Sequence, residues 1–231
     1  MLDALKQAVC QANLDLVAHG LVTLTWGNVS GIDRATGHVV IKPSGVGYDR
    51  MRPEQMVVVD LDGNVVEGEL RPSSDTPTHL LLYKAFETLG GITHTHSTHA
   101  TTFAQAREPI PCYGTTHADH FAGPVPVTRP LTADEVEQAY EHHTGQVIIE
   151  RFAELGLDPA ALPAVLVAGH APFAWGDDAA ASVKNAVALE AVAQMALGMR
   201  TLNPTPPQLE SYVLDKHHQR KHGPHAYYGQ R

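Results

Sequence analysis

The chain has 231 residues, of which 43 % are hydrophobic, and a formal net charge of −9 at pH 7. Such a chain can bury a sizeable core as one large α/β domain or as two small ones. The acidic charge argues against a general affinity for nucleic acid, which needs a basic face, but it leaves room for a small anionic substrate held by local donors.

The N-terminal stretch MLDALKQAVCQANLDLVAHG predicts an amphipathic helix, because apolar residues recur in it at helical spacing. These residues are Leu2, Leu5, Val9, Ala12 and Leu16. Charged residues interrupt them, which argues against a signal peptide, and no later run approaches the roughly 18 apolar residues of a membrane span. Cys10 and Cys112 stand in no ligand spacing, so we expect reduced, buried thiols and a cytoplasmic protein without membrane association.

Two strand hairpins are expected after this helix. Residues 22–45 read as two strands around a turn of sequence DRATG, and residues 56–68 place a DGN turn between two apolar runs. Residues 73–91 then predict a helix that Asp75 or Thr76 caps and that Gly90 stops.

The second half of the chain predicts further strands and helices. The segment ITHTH is a short strand, and a helix follows from about residue 98 to residue 107. Residues 163–176 predict one buried strand that runs into a Gly-His-Ala-Pro turn. Residues 177–199 predict a long alanine-rich helix, capped by Asp177 or Asp178.

The stretch NPTPPQ, residues 203–208, is expected to end that long helix and to set off a C-terminal segment, residues 204–231. Strands and helices are mixed along the chain rather than strictly alternating. We therefore predict a single α/β domain over residues 1–231, with a central, largely antiparallel sheet flanked by helices.

Three histidines lie within six positions of the sequence GGITHTHSTHA. His94 and His96 share one face of the predicted strand, about 7 Å apart along it, so both imidazoles can reach one ion. His99 falls beyond the strand and is expected to point elsewhere. A catalytic zinc site needs a third protein ligand. The candidate is His170, which lies in the Gly-His-Ala-Pro turn. Asp75 is a candidate fourth ligand or a neighbour of the ligands.

Each of these residues also has an ordinary structural interpretation. A His-x-His pair is often only a polar strand face, a histidine such as His170 is often part of a turn, and Asp75 can be a simple helix cap. The spacing alone leaves the metal site open.

Seven motifs spread along the chain carry a family resemblance. They are LTWGNVS, IKPSGV, PSSDTPTH, GGITHTHSTHAT, GTTHADHF, GHAPFAWG and DKHHQRKHGPHAYYGQ. Together and in this order they resemble the L-ribulose-5-phosphate 4-epimerases, a family within the class II aldolase and epimerase superfamily. The resemblance implies a class II aldolase-like fold and a divalent metal bound by His94, His96 and His170, with Asp75 beside them. Zinc suits these ligands, and manganese or cobalt could occupy the same set.

The resemblance also implies the reaction. A ketose phosphate is cleaved between its third and fourth carbons into a dihydroxyacetone enediolate and glycolaldehyde phosphate, and the aldehyde then recondenses on its other face. A divalent metal with open positions would stabilise the enediolate. The expected conversion is that of L-ribulose 5-phosphate into D-xylulose 5-phosphate.

The family's acid/base pair corresponds to Asp119 in GTTHADHF and Tyr228 in AYYGQ. One group on each side of a pivoting aldehyde can serve the proton transfers that inversion needs. In the family both groups reach the metal from a neighbouring subunit, which implies a homotetramer with active sites at subunit interfaces. Without the resemblance, Asp119 would be a loop acid and Tyr228 part of a disordered tail.

The resemblance assigns phosphate binding to three stretches, WGNVS, KPSG and PSSD, each of which offers small residues, backbone N–H groups and hydroxyls. The corresponding residues are Gly27, Asn28, Ser44, Gly45, Ser73 and Ser74, with Lys42 adding a positive charge. Each stretch taken alone would be a tight turn.

Other residues in the matching stretches have weaker assignments. Glu141, His217 and Arg220 either help to close the site or lie on a solvated helix face. His120, His142 and His143 stand where this family usually has aromatic or acidic residues. A cationic His120 would be expected to stabilise the neighbouring carboxylate of Asp119.

Three alternatives compete with the epimerase. A sugar-phosphate aldolase of the same superfamily typically carries a glutamate where this chain has Asp75, and the shorter side chain favours the epimerase. A non-catalytic scaffold like the aldolase-like head of adducin would be expected to lose its ligands. A histidine-rich metal buffer would not need the glycine and serine motifs.

Overall fold

The computed structural model describes residues 2–228, and the last residues of the C-terminal motif lie outside that range. Seven strands form one antiparallel sheet in the order β4-β3-β2-β1-β5-β7-β6. The strands are β1 Gly27–Asp33, β2 His38–Ile41, β3 Val57–Val59, β4 Val65–Glu67, β5 Gly91–Thr95, β6 Ala164–Leu166 and β7 Pro172–Gly176. The predicted antiparallel sheet with flanking helices is therefore confirmed.

Seven α-helices accompany the sheet in the part of the chain that the structure describes. They are α1 Asp3–Ala18, α2 Thr76–Ala85, α3 Thr98–Ala106, α4 Thr115–Ala118, α5 Ala133–Leu155, α6 Ala179–Leu202 and α7 Ser211–His222. Among them, α1 and α6 pack against the central strands and against each other, and α2 packs against α5. The central strands β1 and β5 are buried along almost their whole length, because helices cover the sheet. No helix in residues 2–228 is both long and apolar enough to cross a membrane.

Side-chain contacts fix several of these elements. Asn13 of α1 is fully buried; its amide donates to the Val29 carbonyl oxygen at 3.1 Å and accepts from the Val29 N–H at 2.9 Å. This pairing ties the first helix to β1. Both cysteines are free and buried, as expected.

The glycine pair before the first histidines serves close packing. A Cβ atom on Gly90 would lie 1.8 Å from the carbonyl oxygen of Asp177, and one on Gly91 would lie 2.3 Å from that of Asp178. Only glycine lets the start of β5 approach the first turn of α6 so closely. Asp178 caps α6 by accepting from the Ala181 N–H at 2.7 Å.

The predicted end of α2 at Gly90 is wrong: the helix ends at Ala85. Arg34 explains the earlier end, because its guanidinium donates to the carbonyl oxygens of Tyr83, Phe86 and Leu89 at 2.7 to 3.2 Å. A distant side chain thus satisfies carbonyl groups that a longer helix would have paired internally.

One further expectation needs correction, and one helix was not predicted. The segment 163–176 forms two strands, β6 and β7, which pair with each other, rather than the single strand predicted. The long helix α5 had no counterpart in the sequence prediction. It is kinked at Ala139, whose φ of −164° and ψ of 75° are not helical.

Candidate metal centre and active site

Three imidazoles meet at one end of the central strands. Their potential ligand atoms, one from each of His94, His96 and His170, all lie within 4.8 Å of one another. His94 is in β5, His96 directly follows it, and His170 lies in the turn between β6 and β7. Because β5 pairs with β7, the sheet brings the turn that carries His170 next to the pair His94 and His96.

The donor set fits a divalent metal. Nδ1 of His94 lies 2.9 Å from the carbonyl oxygen of Pro172, which leaves Nε2 free and orients the ring, as backbone carbonyls commonly do for metal ligands. Nδ1 of His170 is buried without a hydrogen-bond partner in the described residues. Burial lowers the pKa of His96 and lowers that of His170 to about 3, so these imidazoles are neutral at pH 7. Neutral imidazole is the form that binds a metal.

Asp75 lies beside the three histidines but is not part of their closest cluster. Its side chain forms no cap for α2, although the residue holds the cap position. Instead its Oδ2 accepts from Nδ2 of Asn28 at 2.6 Å. Burial acts to raise the pKa of Asp75, but electrostatic interaction with His94 and His79 and the Asn28 hydrogen bond hold it below its ordinary value. Asp75 therefore carries a negative charge next to the imidazoles.

All eleven residues predicted for metal and phosphate lie on one cleft of about 380 Å³. We call the phosphate part the anion cradle, which comprises Gly27, Asn28, Lys42, Ser44, Gly45, Ser73 and Ser74. Gly27 has a φ of +136°, and a Cβ there would lie 2.8 Å from a methyl group of Val22 and 3.0 Å from the His94 carbonyl oxygen. Glycine is therefore required where the cradle meets the histidines.

Lys42 supplies a buried positive charge to the cradle. The residue is only 3 % exposed, and its Nζ lies 5.1 Å from the ring centroid of Tyr48. Burial lowers the pKa of Lys42, and the charge of Asp75 partly opposes that effect. In the described residues no carboxylate lies within ion-pair distance of Lys42. The cation is thus available to an anionic ligand.

Asp119 stands in a separate cluster at the end of α4. Its carboxylate accepts two hydrogen bonds from Arg220, at 3.0 and 2.6 Å, and one from Nδ1 of His217 at 3.0 Å. Lys221 lies 3.7 Å away. Burial acts to raise the pKa of Asp119, but the hydrogen bonds from Arg220 and His217 hold it below its ordinary value.

Tyr228 belongs to the same cluster. Its ring lies over the charged ends of Arg220 and Lys221, at 4.8 and 4.7 Å. The residue is 59 % exposed, so this contact orients the ring without burying it. Neither Tyr228 nor Asp119 lines the metal cleft of its own chain. Glu141 also lies outside the cleft lining; its carbonyl oxygen accepts a hydrogen bond from Thr78.

The expected cationic role of His120 is wrong. Burial, together with the nearby charges of Lys221 and Lys184, lowers the pKa of His120 to about 4, so the ring is neutral at pH 7. The positive charges next to Asp119 come from Arg220 and Lys221 instead. His142 and His143 form an edge-on ring pair with centroids 5.6 Å apart, outside the lining of the metal cleft.

Sequence reasoning missed three residues close to the histidines. Thr25 and Trp26 line the cleft, and the Trp26 ring lies 6.3 Å from that of His96. Tyr140, directly after the kink in α5, lies 6.0 Å from the His170 ring. Thr25 and Trp26 belong to the quoted motif LTWGNVS, which was a usable signal, whereas the kink that places Tyr140 has no local sequence mark.

His99 points away from the three imidazoles, as expected. Its backbone N–H and its Nδ1 both contact Oε1 of Glu190, at 2.8 and 2.7 Å, and Oε2 accepts from the Ala100 N–H at 2.9 Å. The Glu190 carboxylate, from α6, thereby caps the start of α3. This cap lies three residues after His96.

Known proteins share this architecture. The profile of the family described as Class II Aldolase and Adducin N-terminal domain matches residues 7–197. The chain is 56 % identical over 230 aligned residues, which cover 100 % of each protein, to L-ribulose-5-phosphate 4-epimerase UlaF of Salmonella paratyphi B. The corresponding protein of Salmonella paratyphi C has the same identity and coverage.

Solved structures agree with these sequence matches. An L-fuculose 1-phosphate aldolase superposes with a TM-score of 0.79 and 27 % identity, over 94 % of this chain and 95 % of the other. The l-fuculose-1-phosphate aldolase of Thermus thermophilus gives a TM-score of 0.68 and 25 % identity, over 89 % and 98 % of the two chains.

Proposed function

The chain belongs to the class II aldolase and adducin family, and on that premise we propose that it is a metal-dependent L-ribulose-5-phosphate 4-epimerase. The observation that carries the proposal is the single cleft that joins three clustered imidazoles to a cradle with a buried cation. A ligand that spans such a cleft offers oxygen atoms to a metal at one end and a phosphate at the other. The relatives named as L-ribulose-5-phosphate 4-epimerases support this substrate.

His94, His96 and His170 would hold the metal, and Asp75 would act beside them as a further ligand or as a hydrogen-bonding neighbour. Zinc is the metal we propose, since three imidazoles and a carboxylate suit it, although manganese and cobalt accept similar ligands. When bound, the metal supplies electrostatic stabilisation to the negative charge that develops as the carbon–carbon bond breaks.

The anion cradle would hold the phosphate through both halves of the reaction. Removal of the proton from the C4 hydroxyl lets the bond between C3 and C4 break, which leaves a dihydroxyacetone enediolate and glycolaldehyde phosphate. Held by its phosphate, the aldehyde can turn so that its other face meets the enediolate. When the bond forms again, the C4 oxygen takes up a proton and the configuration at C4 is inverted.

Asp119 and Tyr228 are the proposed proton carriers. Hydrogen bonds from Arg220 and His217 keep Asp119 ionised, as a base must be. Neither group lines the cleft of its own chain, which favours a site completed by a neighbouring copy. We therefore propose a homotetramer in which the C-terminal segment, residues 204–231, of one subunit closes the site of the next.

Mixing two inactive variants tests this shared site. His96→Asn would damage the metal end and Asp119→Asn the proton carrier, so each variant alone should be inactive. Subunits exchanged between the two would form some sites with intact His96 from one chain and intact Asp119 from the other. Recovered activity after exchange supports the shared site, whereas no recovery in verified mixed oligomers would contradict it.

The reaction itself is tested by product analysis with L-ribulose 5-phosphate. We expect D-xylulose 5-phosphate at equilibrium with the substrate and no accumulation of glycolaldehyde phosphate. Release of the aldehyde as the main product would instead identify an aldolase, the second candidate that the 27 % identical structure favours.

The two free, buried cysteines support the proposal of a cytoplasmic enzyme.

A further inference from the structure

Tyr48 lies behind the anion cradle and contacts it through two parts of its side chain, the hydroxyl and the ring. It begins a short 3-10 helix, Tyr48–Arg50, and is only 8 % exposed. Its hydroxyl and its ring each contact a different cradle residue, Gly27 and Lys42, although Tyr48 is not itself a lining residue of the cleft. A residue placed in this way cannot touch the ligand directly but can fix the groups that do.

The hydroxyl holds the backbone of the cradle. It donates to the carbonyl oxygen of Gly27 at 2.8 Å, and burial raises the pKa of Tyr48, so the donated proton is retained. Gly27 has no side chain of its own to anchor it and adopts a positive φ. Because the Gly27 carbonyl and the Asn28 amide share one planar peptide, this contact also orients Asn28, whose side chain donates to Asp75.

The ring supports the cationic side of the cradle. Lys42 Nζ lies 5.1 Å from the ring centroid, and in the described residues its hydrogen-bond partner is the Pro43 carbonyl oxygen at 3.3 Å. A buried ammonium that lacks an ion-pair partner is costly, and an aromatic face offsets part of that cost. The ring therefore helps to keep a charged Lys42 in place before the anion arrives.

We infer that Tyr48 is a positioning residue for the phosphate, which holds the Gly27 carbonyl through its hydroxyl and the Lys42 ammonium over its ring. The inference rests on the proposed function in so far as the cradle is taken to bind phosphate. The two contacts are chemically separable: phenylalanine keeps the ring and removes the hydroxyl, and leucine removes both.

The test is a calorimetric titration of zinc-loaded enzyme with inorganic phosphate. Loss of one buried hydrogen bond in Tyr48→Phe should raise the phosphate dissociation constant about fivefold. Tyr48→Leu should raise it by about a further tenfold, since the cation–π contact is also lost. Zinc affinity should change much less than phosphate affinity, and with substrate the loss should appear in KM rather than in kcat.

Two controls separate positioning from a general loss of structure. Tyr83→Phe removes the hydroxyl of another fully buried tyrosine, which lies 2.8 Å from the Ser30 hydroxyl, and should leave the phosphate dissociation constant unchanged. In a Lys42→Met background, Tyr48→Leu should weaken phosphate binding no more than Tyr48→Phe does. Equal additional losses with and without Lys42 would show that the ring does not act through the ammonium.

Equal phosphate affinity in wild type, Tyr48→Phe and Tyr48→Leu would overturn the inference. So would parallel losses of zinc and phosphate affinity, since they would indicate a structural role alone. Inorganic phosphate reports on the cradle whatever the sugar is. Graded phosphate affinities together with no turnover of L-ribulose 5-phosphate would therefore support the role of Tyr48 and contradict only the proposed substrate.

Discussion

Replacing Glu190 with glutamine tests whether the start of α3 positions His96. The Glu190 carboxylate accepts from two backbone N–H groups and from the His99 ring, at 2.7 to 2.9 Å, and its side chain is 17 % exposed. Glutamine presents a neutral acceptor to one N–H group and a donor to the other. Hydrogen bonds to a charged acceptor contribute about 1.5–3 kcal/mol each, so we expect the free energy of unfolding to fall by about 2–3 kcal/mol.

The loss of unfolding free energy in Glu190→Gln should depend on pH and should be larger at neutral than at acidic pH. Burial acts to raise the pKa of Glu190, but hydrogen bonds from the Ala100 and His99 amides hold it below the ordinary glutamate value. A depressed pKa stabilises the folded state above the unfolded pKa of about 4.3, and this stabilisation disappears as the pH falls through the lower folded value. The difference between wild type and Glu190→Gln should therefore be full at pH 7 and shrink below about pH 4.

Urea unfolding of metal-free protein at fixed concentration measures the free energy, and competition with a chelator measures the zinc affinity. We expect the zinc dissociation constant to rise about tenfold, because His96 immediately precedes the capped turn. Glu154→Gln, which alters the pair of an exposed Glu154 with a half-buried Arg151, is the control and should cost less than about 1 kcal/mol. Unchanged stability and zinc affinity in Glu190→Gln would show that the Glu190 carboxylate neither stabilises the start of α3 nor positions His96.

Four further substitutions separate the parts of the proposed site. His96→Asn should lower zinc content and turnover together, as measured by metal analysis and rate; full activity without zinc would contradict its role as a ligand. Asp119→Asn should keep its zinc and lose about 100-fold or more in kcat, and normal turnover would exclude it as a proton carrier. Tyr228→Phe should lower kcat with the thermal unfolding midpoint unchanged, whereas an unchanged kcat would show that its hydroxyl takes no part. Arg220→Gln should raise the pKa of Asp119, so the acid limb of the pH–rate profile should move to higher pH; an unmoved limb would show that Arg220 does not control that carboxylate.

Local patterns predicted which of the histidines share a face, but they left the metal site open until the motif resemblance was added. His94 and His96 could be paired because strand side chains two positions apart share a face. The hairpins of β1 with β2 and of β3 with β4 followed from alternating apolar residues around turn sequences. The motif resemblance, confirmed by the family match, added residues such as Asp119 whose local sequence context is that of an ordinary loop acid.

Contacts between distant residues could not be predicted in this way. Tyr48 meets Gly27 across 21 positions and Glu190 meets His99 across 91, and neither pair leaves a periodic signal in the sequence. The predicted end of α2 was wrong for the same reason. Arg34 lies in the connection between β1 and β2, and it donates a hydrogen bond to the Tyr83 carbonyl oxygen in the last turn of α2. The kink before Tyr140 falls at Ala139, where neither a proline nor a glycine marks it in the sequence.

We propose that one metal at His94, His96 and His170 supports inversion at C4 of the sugar phosphate. The most direct measurement is the rate of D-xylulose 5-phosphate formation from L-ribulose 5-phosphate as zinc is added back to metal-free enzyme. We expect no conversion without metal and a rate that rises linearly until one zinc is bound per chain. Conversion by verified metal-free enzyme, or no conversion at full zinc occupancy, would contradict it.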